Sequence, residues 1–147
     1  MKKVLREAAL VAMACLSAVI AGCALDPAQQ AAVQARRDAF LESRPKCYDP
    51  NACERLWAAA RNWVISNCGM KIQTITSDYI ETFNSVGGST ALACRVTKDP
   101  LPDNGYVISV TTGCGNVFGC FPDPWQAAEN FNYSVQAVAP LQKDSAQ

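Results

Sequence analysis

The chain contains no histidine among its 147 residues. That absence removes the commonest general base, the usual nitrogen ligand of zinc, and the Ser-His and Cys-His pairs that activate nucleophiles. No Cys-x-x-Cys pair occurs either, so neither a thioredoxin-type redox centre nor a thiolate zinc site with its usual spacing is expected. The glycine cluster Gly87-Gly88-Ser89 is not followed by lysine and reads as a turn rather than a phosphate cradle. Charge is sparse and balanced, with 13 basic and 13 acidic residues, and Arg36-Arg37 is the only basic doublet after Arg6. The clustered cations that displace counterions from nucleic acid are missing, and no nucleic-acid partner is expected. A spanning helix needs roughly 20 consecutive apolar residues. The stretch from Ala8 to Ile20 is shorter and gives way to Asp26, Pro27, Gln29 and Gln30.

At the N-terminus a basic head of Lys2, Lys3 and Arg6 precedes that stretch, and small residues close it. This is the layout of an export signal. Its exit reads Ile20-Ala21-Gly22-Cys23, which resembles the lipobox of bacterial lipoproteins: an aliphatic residue, two small residues and a cysteine. The resemblance implies removal of residues 1–22, diacylglycerol on the Cys23 sulfur and a further acyl chain such as palmitate on its freed amine. Each buried methylene adds about 0.8 kcal/mol, and two or more chains give stable attachment. In that class an Asp directly after the cysteine commonly retains the protein in the inner membrane. Ala24 stands there, so the resemblance implies an outer-membrane anchor facing the periplasm.

Removing residues 1–22 takes away three basic residues and one acidic one, leaving 13 − 3 = 10 against 13 − 1 = 12 and a net charge of −2. Of the eight cysteines, Cys15 leaves with the signal and Cys23 takes lipid. Six remain: Cys47, Cys53, Cys68, Cys94, Cys114 and Cys120. In an exported chain an even number reads as a disulfide framework, suited to a domain whose core alone would be marginal. No metal and no cofactor are expected.

Asp26-Pro27 with Gln29 is a helix start, and the Ala- and Gln-rich segment to Glu42, with Val33 and Phe40 on one face, reads as a stalk helix ended by Pro45. Asn51 and Glu54 suggest a second cap, behind which Cys53, Leu56, Trp57, Ala60, Trp63, Val64 and Cys68 recur every three or four residues. Gly69 then offers a left-handed stop. The run from Met70 to Asn84 reads as two short strands around Ser77-Asp78. Leu92, Cys94 and Val96, and beyond a loop Lys98–Gly105 the residues Tyr106, Ile108, Val110, Thr112 and Cys114, alternate as an antiparallel hairpin. Asp123-Pro124 opens a last helix with Trp125, Ala128, Phe131, Val135 and Val138 inward. Trp57, Trp63 and Trp125 are all expected in the core.

Geometry restricts the thiol pairing. Cys53 and Cys68 lie on one helix about 22 Å apart at 1.5 Å per residue. With the hairpin centred near Leu101, Cys94 faces Ile108 or Val110, and Cys114 lies roughly 13–20 Å further along. The simplest remaining scheme joins Cys47 to Cys53, Cys68 to Cys94 and Cys114 to Cys120, although six thiols permit about 15 connectivities.

Asp103-Asn104-Gly105 reads as turn chemistry, Asp123 as a cap, and Asp99 adds no catalytic or calcium-binding spacing. The segment Gly113–Trp125 gathers Val117, Phe118, Phe121 and Trp125 around a closed loop. Those side chains either plug the end of the core, or Val117, Phe118 and Phe121 form a rigid loop for partner docking.

The expected architecture is α+β: two helices on one face of a three- or four-stranded antiparallel sheet in α-β-β-β-β-α order, disulfide-stapled and preceded by the stalk helix. The expected divisions are a signal peptide at 1–22, the lipidated cysteine and stalk at 23–45, the α+β domain at 46–139 and a flexible tail at 140–147. The functional expectation is a non-enzymatic binding or accessory module of the cell envelope, with a membrane anchor on Cys23 and an envelope protein as partner. The alternative is an inhibitor or immunity lipoprotein that blocks a toxin or a wall-degrading enzyme.

Overall fold

A computed structural model describes residues 26–139. The expected signal peptide 1–22, the expected lipidated Cys23 and the expected tail 140–147 lie outside the described residues. The first helix, α1 (Pro27–Glu42), has the limits that Asp26-Pro27 and Pro45 suggest. The Asp26 carboxylate accepts from the Ala28 N–H at 3.2 Å and its carbonyl from the Gln30 N–H at 2.9 Å, which satisfies amides left open by the first turn. No residue of α1 is buried. The chain divides into two compact units within this helix, after Ala39.

The second unit is α+β, and its strand count corrects the sequence expectation. After the last residues of α1 come β1 (Lys46–Cys47), α2 (Pro50–Asn67), β2 (Ile72–Ile75), β3 (Tyr79–Thr82), β4 (Ala93–Pro100), β5 (Tyr106–Gly113) and α3 (Pro124–Gln136). Five strands, not three or four, form one sheet in the order β1-β5-β4-β3-β2, every neighbour antiparallel. The extra strand is β1, whose two residues are too few to show an alternation. Buried Pro45 sets it in place, since its carbonyl accepts from the Ile108 N–H at 2.8 Å.

The N-cap of helix α2 lies two residues before the expected one. Asp49, not Asn51, is the N-cap, accepting from the Ala52 N–H at 2.9 Å with Pro50 in the first turn. Asp49→Ala is therefore expected to cost about 1 kcal/mol, while Asn51→Ala, at an exposed helical position, stays within about 0.5 kcal/mol. Urea titrations of the two variants check this assignment. The stripe Cys53, Leu56, Trp57, Ala60, Trp63 and Val64 is buried as its spacing suggests. Gly69 is not the left-handed terminator expected of it, because the helix ends on an extended Cys68. Glycine is needed there for close approach: a Cβ on Gly69 would stand 2.8 Å from the Ala91 Cβ. The Gly69 and Met70 N–H groups both donate to the Leu92 carbonyl, at 2.9 and 3.2 Å, so the sheet takes over the chain where the helix stops.

The two short strands expected from Met70 to Asn84 are β2 and β3. Thr76 organises their turn, its hydroxyl donating to Asp78 at 2.7 Å and accepting from the Tyr79 N–H at 3.0 Å. The β4–β5 hairpin has a different register from the one expected. Pro100 pairs with Tyr106 and Cys94 with Thr112, so the strands run further and the turn centres on Asp103 rather than Leu101. Asn104, in the left-handed region at φ 61°, makes that tight reversal. Buried Thr82 extends the sheet where β3 runs out, its hydroxyl accepting from the Cys94 N–H at 2.9 Å.

Ile80, Val96, Ile108 and Val110 join the apolar faces of α2 and α3 in one core. In α3, Asp123 caps as expected, accepting from the Gln126 N–H at 2.9 Å, and Ala128, Phe131 and Val135 point inward. Trp63 binds the two helices, with its ring edge-on to Phe131 at 5.2 Å and its indole N–H donating to Asn130 at 2.8 Å. Trp125 is a correction. It is half-buried at the rim, 5.0 Å from the Phe40 ring, and donates to Glu129 at 2.6 Å. The first turn of α3 thus touches the end of α1 through Trp125 as well as the sheet, where the Pro124 carbonyl accepts from the Thr112 hydroxyl at 2.7 Å.

Candidate functional site

The three disulfides are Cys47–Cys53, Cys68–Cys94 and Cys114–Cys120, the pairs that the spacing argument selects. One step of that argument fails. With Cys94 opposite Thr112, Cys114 is only two residues further on, so distance does not separate Cys94 from Cys114. The choice is made by the end of α2, which brings Cys68 onto β4 beside Leu92.

The loop closed by Cys114–Cys120 is tied at its base to residues 86–90. Gly88 N–H donates to the Gly115 carbonyl at 3.1 Å, the Asn116 amide to the Gly88 carbonyl at 2.7 Å, and Phe121 N–H to the Thr90 carbonyl at 2.9 Å. A Cβ on Gly115 would lie 2.6 Å from the Val86 carbonyl oxygen, so only glycine permits the two loops to approach this closely. Within the loop the Asn116 side chain accepts from the Phe118 N–H at 2.8 Å, and Gly119 turns the chain at φ 125°. The backbone is held inward and the side chains are turned out: Val117 is 92 %, Phe118 98 % and Phe121 83 % exposed. These rings therefore do not plug the core. That expectation fails because Phe131, Leu92 and Cys94 already fill it.

The same end of the molecule carries features that sequence reasoning missed. Val86 is 71 % exposed on the adjoining loop. A groove of about 400 Å³ runs beside both loops, floored by Ala93, Thr111 and Gly113 and walled by Ser85, Gly115 and the Glu81–Arg95 pair. Arg95 donates to one Glu81 oxygen from Nε at 3.1 Å and Nη2 at 2.7 Å. Those bonds hold the Glu81 carboxyl below its ordinary value, and the Tyr79 hydroxyl, bonded to Glu81 as well, adds to the effect. Elsewhere in the groove there is no charge. No charged residue occurs from Thr82 to Cys94 or from Asn104 to Pro122, and that pair of neutral stretches is the sequence signal for this end.

A smaller pocket of about 260 Å³ lies by the start of α2, lined by Tyr48, Glu54, Lys98 and Tyr106 among others. The Lys98 ammonium sits 5.4 Å from the Trp57 ring and 5.5 Å from the Tyr106 ring, an arrangement that stabilises the charge without a carboxylate. Of the acids expected in loops, Asp123 is the α3 cap, and Asp99 lies within β4 and accepts from the Thr97 hydroxyl at 2.7 Å. Among the described residues no cluster of His, Cys, Asp or Glu is placed to hold a metal ion, and no helix is long and apolar enough to cross a membrane. Comparison with protein-family models, with curated proteins and with solved structures finds no match.

Proposed function

We propose that this protein is a non-enzymatic accessory module of the bacterial cell envelope. Acyl chains on Cys23 tether it to the outer membrane, facing the periplasm, and the Cys114–Cys120 loop binds an envelope protein. The observation that carries this reading is the near-complete exposure of Val117, Phe118 and Phe121 on a backbone cross-linked and hydrogen-bonded to its neighbours. Aromatic anchors dominate interface energy, and a pre-ordered loop loses little entropy on docking. The address is supported by Ile20-Ala21-Gly22-Cys23 and by six cysteines that all pair within the chain, as suits an oxidising compartment. The absence of histidine argues against hydrolytic chemistry. A second reading, an inhibitor that plugs a toxin or a wall-degrading enzyme, is favoured by the position of Phe118 at the tip of a closed loop.

Phe118→Ser is the test. If the loop docks, partner recovery from envelopes falls at least ~30-fold, the effect of losing a hot-spot residue worth about 2 kcal/mol. The melting temperature should move by no more than about 2–4 °C, as for other surface changes. Unchanged recovery overturns the docking role. Cys23→Ser should release the protein from the envelope fraction, and continued sedimentation with it would overturn the anchor.

A further inference from the structure

We infer that the partner of the Cys114–Cys120 loop is a second copy of this chain, in a two-fold dimer where Val117 and Phe118 of each protomer fill the groove over Gly113 of the other. The inference rests on the docking reading above and names its partner. Knob and hole adjoin, because Cys114 and Gly115 line the groove and also form the base of the loop that raises Phe118. A protrusion beside a recess on one surface is the arrangement that closes isologously, each copy giving and receiving the same contact.

Sizes agree. A cavity of ~150 Å³ accepts a benzene ring, so a groove of about 400 Å³ has room for the Phe118 ring together with Val117. An aromatic side chain carries roughly 150–250 Å², so Phe118 and Phe121 at their exposures of 98 % and 83 % offer on the order of 350 Å². That approaches half of the ~800 Å² per partner that a standard interface buries, before Val86 and the groove walls are counted.

Charge also permits self-association. Two copies of one surface meet like against like, which penalises a charged patch. This end has only Glu81 and Arg95 at the groove edge, neutralising each other at 2.7 Å. Depletion of charge at the centre is what distinguishes an interface from other surface.

Gly113 supplies the test. A Cβ there would meet nothing within 4 Å, and its φ lies outside the left-handed region. Gly113→Val therefore starts its side chain in open space and narrows the hole. The full-length chain is produced in cells with Phe118→p-benzoylphenylalanine and irradiated. The expected product is a covalent dimer of the chain, reduced at least tenfold when Gly113→Val is added. An adduct with a protein of another mass overturns the second copy as partner while leaving the docking loop standing. No adduct of any kind overturns both. The unmodified full-length chain in detergent gives an independent reading that needs no variant: at about 10 μM, above the micromolar limit for weak interfaces of this size, sedimentation equilibrium should return the dimer mass. A monomer mass there overturns the inference.

Discussion

Phe131→Ala is expected to lower the stability of the folded unit by about 3–5 kcal/mol, the range for deleting a fully buried aromatic side chain. Phe131 is 0 % exposed at the centre of α3 and meets the Trp63 edge at 5.2 Å. Its removal leaves a void bounded by two helices and the sheet. Leu56 and Val64 of α2 and Ile108 of β5, which share that core, belong to elements whose positions are set by disulfides and ladder hydrogen bonds, and they have little freedom to close the gap. For a unit of this size each kcal/mol is worth about 4–8 °C, so the melting temperature should fall by roughly 12–40 °C. Near-ultraviolet circular dichroism during thermal unfolding would measure it. Phe118→Ala, the same chemical change at an almost fully exposed site, is expected to leave the midpoint nearly unchanged. A drop of similar size in both variants would place Phe118 in the core and remove the basis of the docking loop.

The second large effect is expected from the paired change Cys68→Ala and Cys94→Ala. This bridge spans 26 residues of sequence, whereas each of the other two spans 6. In the chain-entropy account a loop of that length is worth ~3.5 kcal/mol and a six-residue loop ~2 kcal/mol. The structure adds to the difference. Cys68 is where α2 ends and the sheet takes over, and Cys94 is buried beneath it. Without the bridge, the end of α2 keeps the burial of Val64 and the Gly69 and Met70 bonds to Leu92 but loses its covalent tie to β4. Guanidinium titration under non-reducing conditions should show the Cys68/Cys94 variant losing more stability than a Cys114→Ala and Cys120→Ala variant. The reverse order would mean that the 114–120 clamp organises the fold, instead of presenting side chains on it. In that second variant the melting temperature should change less than partner recovery does, because the clamp touches the core only at Cys120 and chiefly rigidifies a loop whose Val117 and Phe118 are in solvent.

Much of the architecture was legible in local patterns, and the reason is the range of the forces involved. A helix start depends on a few consecutive residues, so Asp26-Pro27 and Asp123-Pro124 identified α1 and α3. The buried stripe of α2 follows from a repeat of three and four along one backbone. Helix rise and the short spacings of two pairs narrowed the thiol pairing, but the end of α2 decided it by bringing Cys68 to Cys94.

Other features were settled only in three dimensions. A two-residue strand carries no period, so β1 exists because Pro45 and Ile108 of β5 meet across 108 − 45 = 63 residues of chain. The hairpin register turned on Asn104 adopting a left-handed conformation, one residue's choice that moves every partner along β4 and β5. The fate of Phe118 and Phe131 shows the limit most clearly. Both are phenylalanines near prolines and tryptophans in the last third of the chain, and hydrophobicity sends each toward a core. Only one position was left to fill once two helices and five strands had come together, and exclusion of water decides by the space available rather than by the residue. Phe131 took it, and Phe118 remains in solvent.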